Sequence, residues 1–171
     1  MRESAPLYNS RIAKIYVQYL GKYYPDLDLD SVLDEAGIAR YEIEDPAHWF
    51  TQEAQDRLHD VLVARTGNPN IAREAGRFTF SSDGLGAAKQ YALGLMSPTS
   101  IYLLVEKVYA LASRGAHVSA KKIGSNQGEI TAVPKAGVDE KLYQCENRLG
   151  SFESFARPFT NKYAQIDHPA C

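Results

Sequence analysis

Cys145, His168 and Cys171 are the residues whose types and spacing best suit chemistry in this chain. Thiolate and imidazole are donors that zinc prefers, and His-x-x-Cys lets both side chains reach one ion across a turn. A closed structural zinc site takes four ligands. Asp167, Glu146 or a group past residue 171 would have to supply the fourth. The alternative is two buried or idle cysteines beside a surface histidine. Two cysteines do not make a disulfide framework. The opening MRESAPLYNSR has no apolar core of a secretory signal, which argues for a reducing, cytoplasmic setting.

The other histidines are far apart. His48 stands between Pro46-Ala47 and Trp49-Phe50, His59 on a charged helical stretch, and His117 at the start of a strand pattern. None has a strongly apolar helical face around it, as an axial haem ligand would need. There is no GxSxG elbow, and Cys145 with His168 lacks an evident third group. Ser81-Ser82-Asp83-Gly84-Leu85-Gly86 contains neither GxxxxGK[ST] nor GxGxxG, so no nucleotide loop is read there. Glu35, Glu53, Glu74 and Glu106 sit on helical stretches with Lys or Arg nearby, the pattern of solvated faces. Nothing in the residues points to an enzyme.

Bulk properties narrow the classes further. The chain has 171 residues and a net charge of −2, with a pI of about 6.1. It therefore lacks the basic footprint of a nucleic-acid binder. No apolar run approaches the ~20 residues of a membrane span. Eleven Tyr and six Phe suit half-buried surfaces and small-molecule pockets as well as ordinary packing.

Periodicity places these residues on elements. Ser10–Tyr24 reads as an amphipathic helix closed by Pro25, and Asp30–Ala36 as a short one capped by Asp28 or Asp30 and stopped by Gly37. Asp45-Pro46 and Thr51 are two helix starts, the second leading to a helix with Leu58, Val61, Leu62 and Ala64 buried. Helices follow from Asn70, over Ala87–Leu95 and over Thr99–Arg114, the last with Ile101, Leu104, Val105, Val108 and Leu111 on one face. Val118–Ile123 and Gly128–Val133 form a hairpin. Leu149–Thr160 is helical again, and Lys162–Asp167 reads as a strand. The fold class is α+β: N-terminal helices packed on a small antiparallel sheet formed mainly by the C-terminal half, in one domain over residues 1–171. A strand that runs into HPAC suggests a piece of a longer protein.

The order of NSRIAKIYVQYLGKYYPDLDL, HWFTQEAQDRLHD, TGNPNIAREAGR, LGLMSP and YQCENRLGSFESFARPFTNKYAQIDHPAC resembles the 4-vinyl-reductase-type sensory domains along nearly the whole chain. Their relatives include the sensing domains of phenol- and xylene-responsive activators and, more distantly, haem nitric-oxide sensors and trafficking-particle subunits. The likeness is greatest to sensory domains at the N-terminus of bacterial histidine kinases.

That resemblance implies a non-enzymatic sensor of a small apolar or aromatic molecule, coupled to a C-terminal kinase or regulator. The family's pocket would be walled here by Tyr91, Leu95, Tyr102, Ile123, Leu149, Phe155 and Phe159. Its zinc motif maps onto Cys145 and Cys171, with His168 at an acidic position and the fourth ligand past residue 171. The metal set is thus incomplete, and no haem is expected. A Tyr16-Tyr19-Tyr23 ridge could form a homodimer surface or pack on the domain's own core. No nucleic-acid or membrane partner is expected. The rival readings are a docking module with a filled core, a tetrapyrrole-related enzyme and a haem-based gas sensor.

Overall fold

The computed structural model describes residues 5–80, 102 and 104–169, and the chain divides into two compact units. The first comprises Met1–Ile71 with Ala112–Arg114, and the second Ala72–Leu111 with Gly115–Cys171. The fold class is α+β, as expected, with two antiparallel two-stranded sheets among the described residues.

In the first unit, β1 (Tyr8–Asn9) pairs antiparallel with β2 (Trp49–Phe50). Helix α1 (Ser10–Tyr23) starts where the Asn9 side chain accepts a bond from the Arg11 amide, 3.2 Å. Its i, i+3, i+4 stripe buries Ala13, Tyr16, Tyr19 and Leu20. Tyr16 and Tyr19 are thus core residues, and only Tyr23 of the expected ridge is exposed. Asp28 caps α2 (Leu29–Ala36) through the amides of Asp30 and Ser31, and Gly37 ends it at φ +68°.

A five-residue α3 (Arg40–Glu44) follows, unforeseen because its only cap is the Glu42 carboxylate on the Ala39 amide, 2.7 Å. Asp45-Pro46 does not begin a helix. Asp45 closes α3 and turns the chain, its carboxylate accepting from Ala47 N and its carbonyl from His48 N, before β2. Helix α4 (Gln52–Thr66) starts at Thr51, which accepts from Ala54 N, and buries Leu58, Val61 and Leu62; Ala64 is exposed.

Helix α5 (Ile71–Phe78) leads into the second unit. Helix α6 (Val105–Ala110) stops short of the expected Arg114. Residues 112–114 instead turn extended and bond to β1 in the first unit: Asn9 N donates to Ala112 O and Arg114 N to Leu7 O, both 2.8 Å. Val105 is buried, but Val108 and Leu111 are exposed, so the expected apolar face is only partly used. The predicted helix Ala87–Leu95 lies outside the described residues.

The hairpin is β3 (Ala116–Lys122) with β4 (Gly128–Pro134), in a register that pairs Val118 with Ala132 and Ala120 with Ile130. These four face the core, while His117, Ser119, Lys121, Glu129, Thr131 and Val133 face outward, as strand alternation requires. Helix α7 (Leu142–Ser154) begins seven residues before the expected Leu149, held at its start by Gln144 Oε1 on the Lys141 amide, 2.7 Å. A one-turn α8 (Arg157–Thr160) ends at Asn161 in the left-handed region. Lys162–Asp167 forms no strand: it is an irregular segment joined to α7 by Ala164 N donating to Glu153 O, 2.8 Å. No helix among the described residues is long and apolar enough to cross a membrane.

Candidate functional site

The second unit gathers its aromatic rings where α6, the hairpin's inner face and α7 meet. Val105, Val118, Phe152 and Phe155 are the buried centre, with Phe80, Tyr102, Phe159 and Ile166 packed around them. The Phe80 and Phe155 rings stand edge to face at 4.3 Å. Tyr102 and Phe152 each lie 5.7 Å from Phe155, tilted. Such tilted and edge-on arrangements are those favoured by the ring quadrupoles.

One polar tip enters this apolar setting. The Tyr102 hydroxyl donates to the Phe152 carbonyl at 3.1 Å, and burial pushes the phenol up to about 12. The same carbonyl, in the last turn of α7, also accepts the Phe155 cap amide at 3.3 Å, so both of its lone pairs are used.

Of the expected pocket walls, the structure brings together Tyr102, Phe155 and Phe159. Leu149 is buried. Ile123 is not a wall: it is 57% exposed at the hairpin turn, where its amide donates to Gln127 O. The reason is register, since the turn begins one residue after Lys122 and lifts Ile123 off the inner face. Tyr91 and Leu95 lie outside the described residues. Phe80, Phe152 and Ile166 belong to the cluster and were not foreseen as walls. Phe152 was legible, because it is three residues from Phe155 on the same helical face.

The second constellation is at the far end of α7. Cys145 is buried, and its sulfur lies 3.8 Å from His168 Nε2. Two ligands of one tetrahedral zinc, at bond lengths of 2.3 and 2.0–2.1 Å, stand about 3.6 Å apart, so this separation would fit. Cys145 is disulfide-bonded in this structure, and zinc would need it as the reduced thiolate. Cys171 lies outside the described residues, and no group of three or more potential metal ligands forms among the described residues.

Between the two constellations runs an ion network. Arg73 bonds Glu146 at 2.9 Å and Glu153 at 2.5 Å, and Arg77 bonds Glu153 at 2.5 Å. The Glu153 side chain is 8% exposed. Burial opposes its ionisation, but the bonds from Arg73 and Arg77 outweigh that and hold the carboxyl below its ordinary range. The i, i+4 spacing of Arg73 and Arg77 and the i, i+7 spacing of Glu146 and Glu153 put both pairs on facing helical stripes. That spacing was the available signal for it.

Comparison of the chain with models of protein families, with curated proteins and with solved structures finds no match in any of the three.

Proposed function

We propose that the chain is a small-molecule-binding sensory domain of a cytoplasmic signal-transduction protein, acting without catalysis and passing ligand occupancy to a kinase or regulator. Its ligand is a small apolar or aromatic molecule. The observation that carries this reading is the convergence of Phe80, Tyr102, Phe152 and Phe155, with the half-buried Tyr102 hydroxyl among them. Apolar walls with a few placed polar tips are what small-molecule sites are made of. The resemblance to 4-vinyl-reductase-type sensory domains points the same way, and with it to a homodimer.

The test is a thermal-shift series on the full chain with alkylbenzenes, phenols and aliphatic alcohols, followed by native mass spectrometry of the best stabiliser. A true ligand at a hundred times its Kd should raise Tm by about 5–10 °C. Phe155→Ala should abolish the shift, and Tyr102→Phe should reduce it for hydroxylated compounds alone.

A docking module with a filled core is the second reading. Phe155 is only 3% exposed and already has rings against it at 4.3 and 5.7 Å. If no compound class shifts Tm, that reading replaces the first.

A further inference from the structure

The β3–β4 hairpin turns half of its backbone groups away from its own ladder. The Ile123 amide donates to Gln127 O at one end of the register, and the Lys135 amide to Gly115 O at the other. In the unbroken register between them, the odd-numbered pairs, such as Ser119 with Thr131, exchange the ladder bonds. Even-numbered residues take the alternate positions, so their N–H and C=O groups point outward along the two edges. On β4 these residues are Gly128, Ile130, Ala132 and Pro134, and no partner for their outward groups occurs among the described residues.

Unpaired backbone on a strand edge is a template for another extended strand. β3 has the same outward pattern, but it carries Lys121 and Lys122 side by side at its end and packs against α6. Such charges blunt an edge. On β4, Gly128, Glu129, Thr131, Val133 and Pro134 are exposed, and Ile130 and Ala132 are half-buried on the inner face.

The β4 edge is complementary to itself. Laid antiparallel on a second β4 about a two-fold axis at Thr131, all seven residues of the strand overlap, with Gly128 opposite Pro134. Moving the axis one residue either way shortens the overlap. Ile130 N then donates to Ala132 O of the second copy, Ala132 N to Ile130 O, and Gly128 N to Pro134 O, so every outward amide finds a carbonyl. Pro134 has no N–H, but it stands at the strand's end, where only the Gly128 carbonyl goes without.

The side chains agree with this pairing. Ile130 lies beside Ala132 of the second copy, so the inner apolar layer that packs on the aromatic cluster runs on across the axis. On the outer face, Glu129 sits 2.7 Å from Lys121 of its own hairpin. Lys135 of the second copy takes the diagonal position to Glu129, within reach of a long side chain. No like charges oppose each other.

We infer that two copies of this chain join through their β4 edges, in a continuous antiparallel sheet of order β3-β4-β4-β3. This gives the proposed homodimer its surface. A strand-to-strand contact falls at the small end of specific interfaces, below about 1,200 Å², so the dimer exchanges with monomer at micromolar concentrations.

The test is sedimentation velocity on the full chain from about 1 to 100 μM, with cysteine trapping of the register. The dimer fraction should rise across this range. Thr131 meets its own copy at the axis in a non-hydrogen-bonded pair, with Cα atoms about 4.5 Å apart, a gap that a disulfide spans. Thr131→Cys should therefore give a covalent dimer under mild oxidant, with a 131–131 peptide in its digest, while the parent, with its own cysteines, serves as control. Glu129→Cys is equally exposed but should not cross-link to itself, because the two 129 positions are offset along the strands. Lys135→Glu should weaken association by about three- to tenfold, and adding Glu129→Lys should restore it. A chain that stays monomeric at the highest concentration would overturn the inference. So would a dimer in which position 131 cross-links no faster than 129, which would leave a homodimer built on another surface. A monomer whose β4 amides are protected from hydrogen exchange only by an added Thr-Val repeat peptide would overturn it too, in favour of a different strand partner.

Discussion

Gly76 on α5 and Gly150 on α7 mark a reciprocal close approach of two helix backbones. A Cβ on Gly76 would fall 2.1 Å from the carbonyl oxygen of Asn147, three residues before Gly150. A Cβ on Gly150 would fall 2.1 Å from the carbonyl oxygen of Arg73, three residues before Gly76. Each helix thus lays its backbone where the other lacks a side chain, a use of glycine that no other residue can supply. The Asn147 amide, donating to Ala72 O at 3.0 Å, bonds the crossing from one side.

Gly150→Ala and Gly76→Ala should therefore destabilise by overpacking, at the upper end of about 1–3 kcal/mol each, because the obstacle is backbone that cannot rotate away. Gly21 is the control. It lies within α1, is exposed, and a Cβ there meets nothing within 4 Å. Gly21→Ala should stabilise by about 0.5–1 kcal/mol. Circular-dichroism melts of the three variants should move in opposite directions; equal shifts would rule out the crossing as the cause.

The crossing brings Arg73 and Arg77 to Glu153, and this sets an acid limit on stability. The Glu153 carboxyl is held below its ordinary value of 4.5 in the folded chain. Its contribution is complete above that value and is lost as pH falls through the lower, folded one. Glu153→Gln should lower stability at pH 7 by about 1–3 kcal/mol, since two guanidiniums lose a charged acceptor. It should also flatten the decline below about pH 4.5. Urea titrations at pH 7, 4.5 and 3 would show this, and parallel pH profiles for the two proteins would refute it.

Tyr102 sets the corresponding alkaline limit. Burial raises its phenol from 10.0 to about 12, so the folded chain holds the proton more tightly than the unfolded one. Stability from this group is intact below pH 10 and declines as pH rises through 12. Tyr102→Phe should remove that decline, at a cost near 1 kcal/mol at neutral pH for the lost bond to Phe152 O. Ultraviolet titration of phenolate should show one fewer late-ionising tyrosine in the variant than in the parent.

The parts of this fold that local chemistry dictates could be read from the residues. Asn9, Asp28 and Thr51 cap helices through their own side chains, Gly37 and Gly67 end them at positive φ, and the β3–β4 register follows from alternation. What escaped was decided by distant partners. Residues 112–114 leave a good helical pattern because β1 supplies them with backbone bonds. KYAQID has strand-like alternation, but the partner it finds is a helix, so its ladder never forms. The aromatic cluster was half legible: Phe152, Phe155 and Phe159 share a helical face, whereas Phe80 and Ile166 join it only through tertiary folding. The state of Cys145 could not be read at all, because one spacing serves a metal and a cross-link equally.

Arg148 and Glu140 pose the last case, an ion pair withdrawn from water. Their side chains are 9% and 17% exposed and 2.6 Å apart, and Arg148 also donates to the Tyr109 hydroxyl at 3.2 Å. Two charges this sheltered give up most of their hydration, and mutual attraction offsets that loss only while both are present. Glu140→Gln should leave the guanidinium with a weaker acceptor, and Arg148→Met should leave the carboxylate without its partner. Removing one partner of a fully buried pair costs about 3–5 kcal/mol, and the residual exposure here puts each single change toward the lower end. The double variant restores electrical neutrality, so it should be more stable than the sum of the two losses predicts. A double-mutant cycle by urea denaturation measures that coupling directly. A coupling below about 0.5 kcal/mol would mean that the pair behaves as an exposed surface bridge.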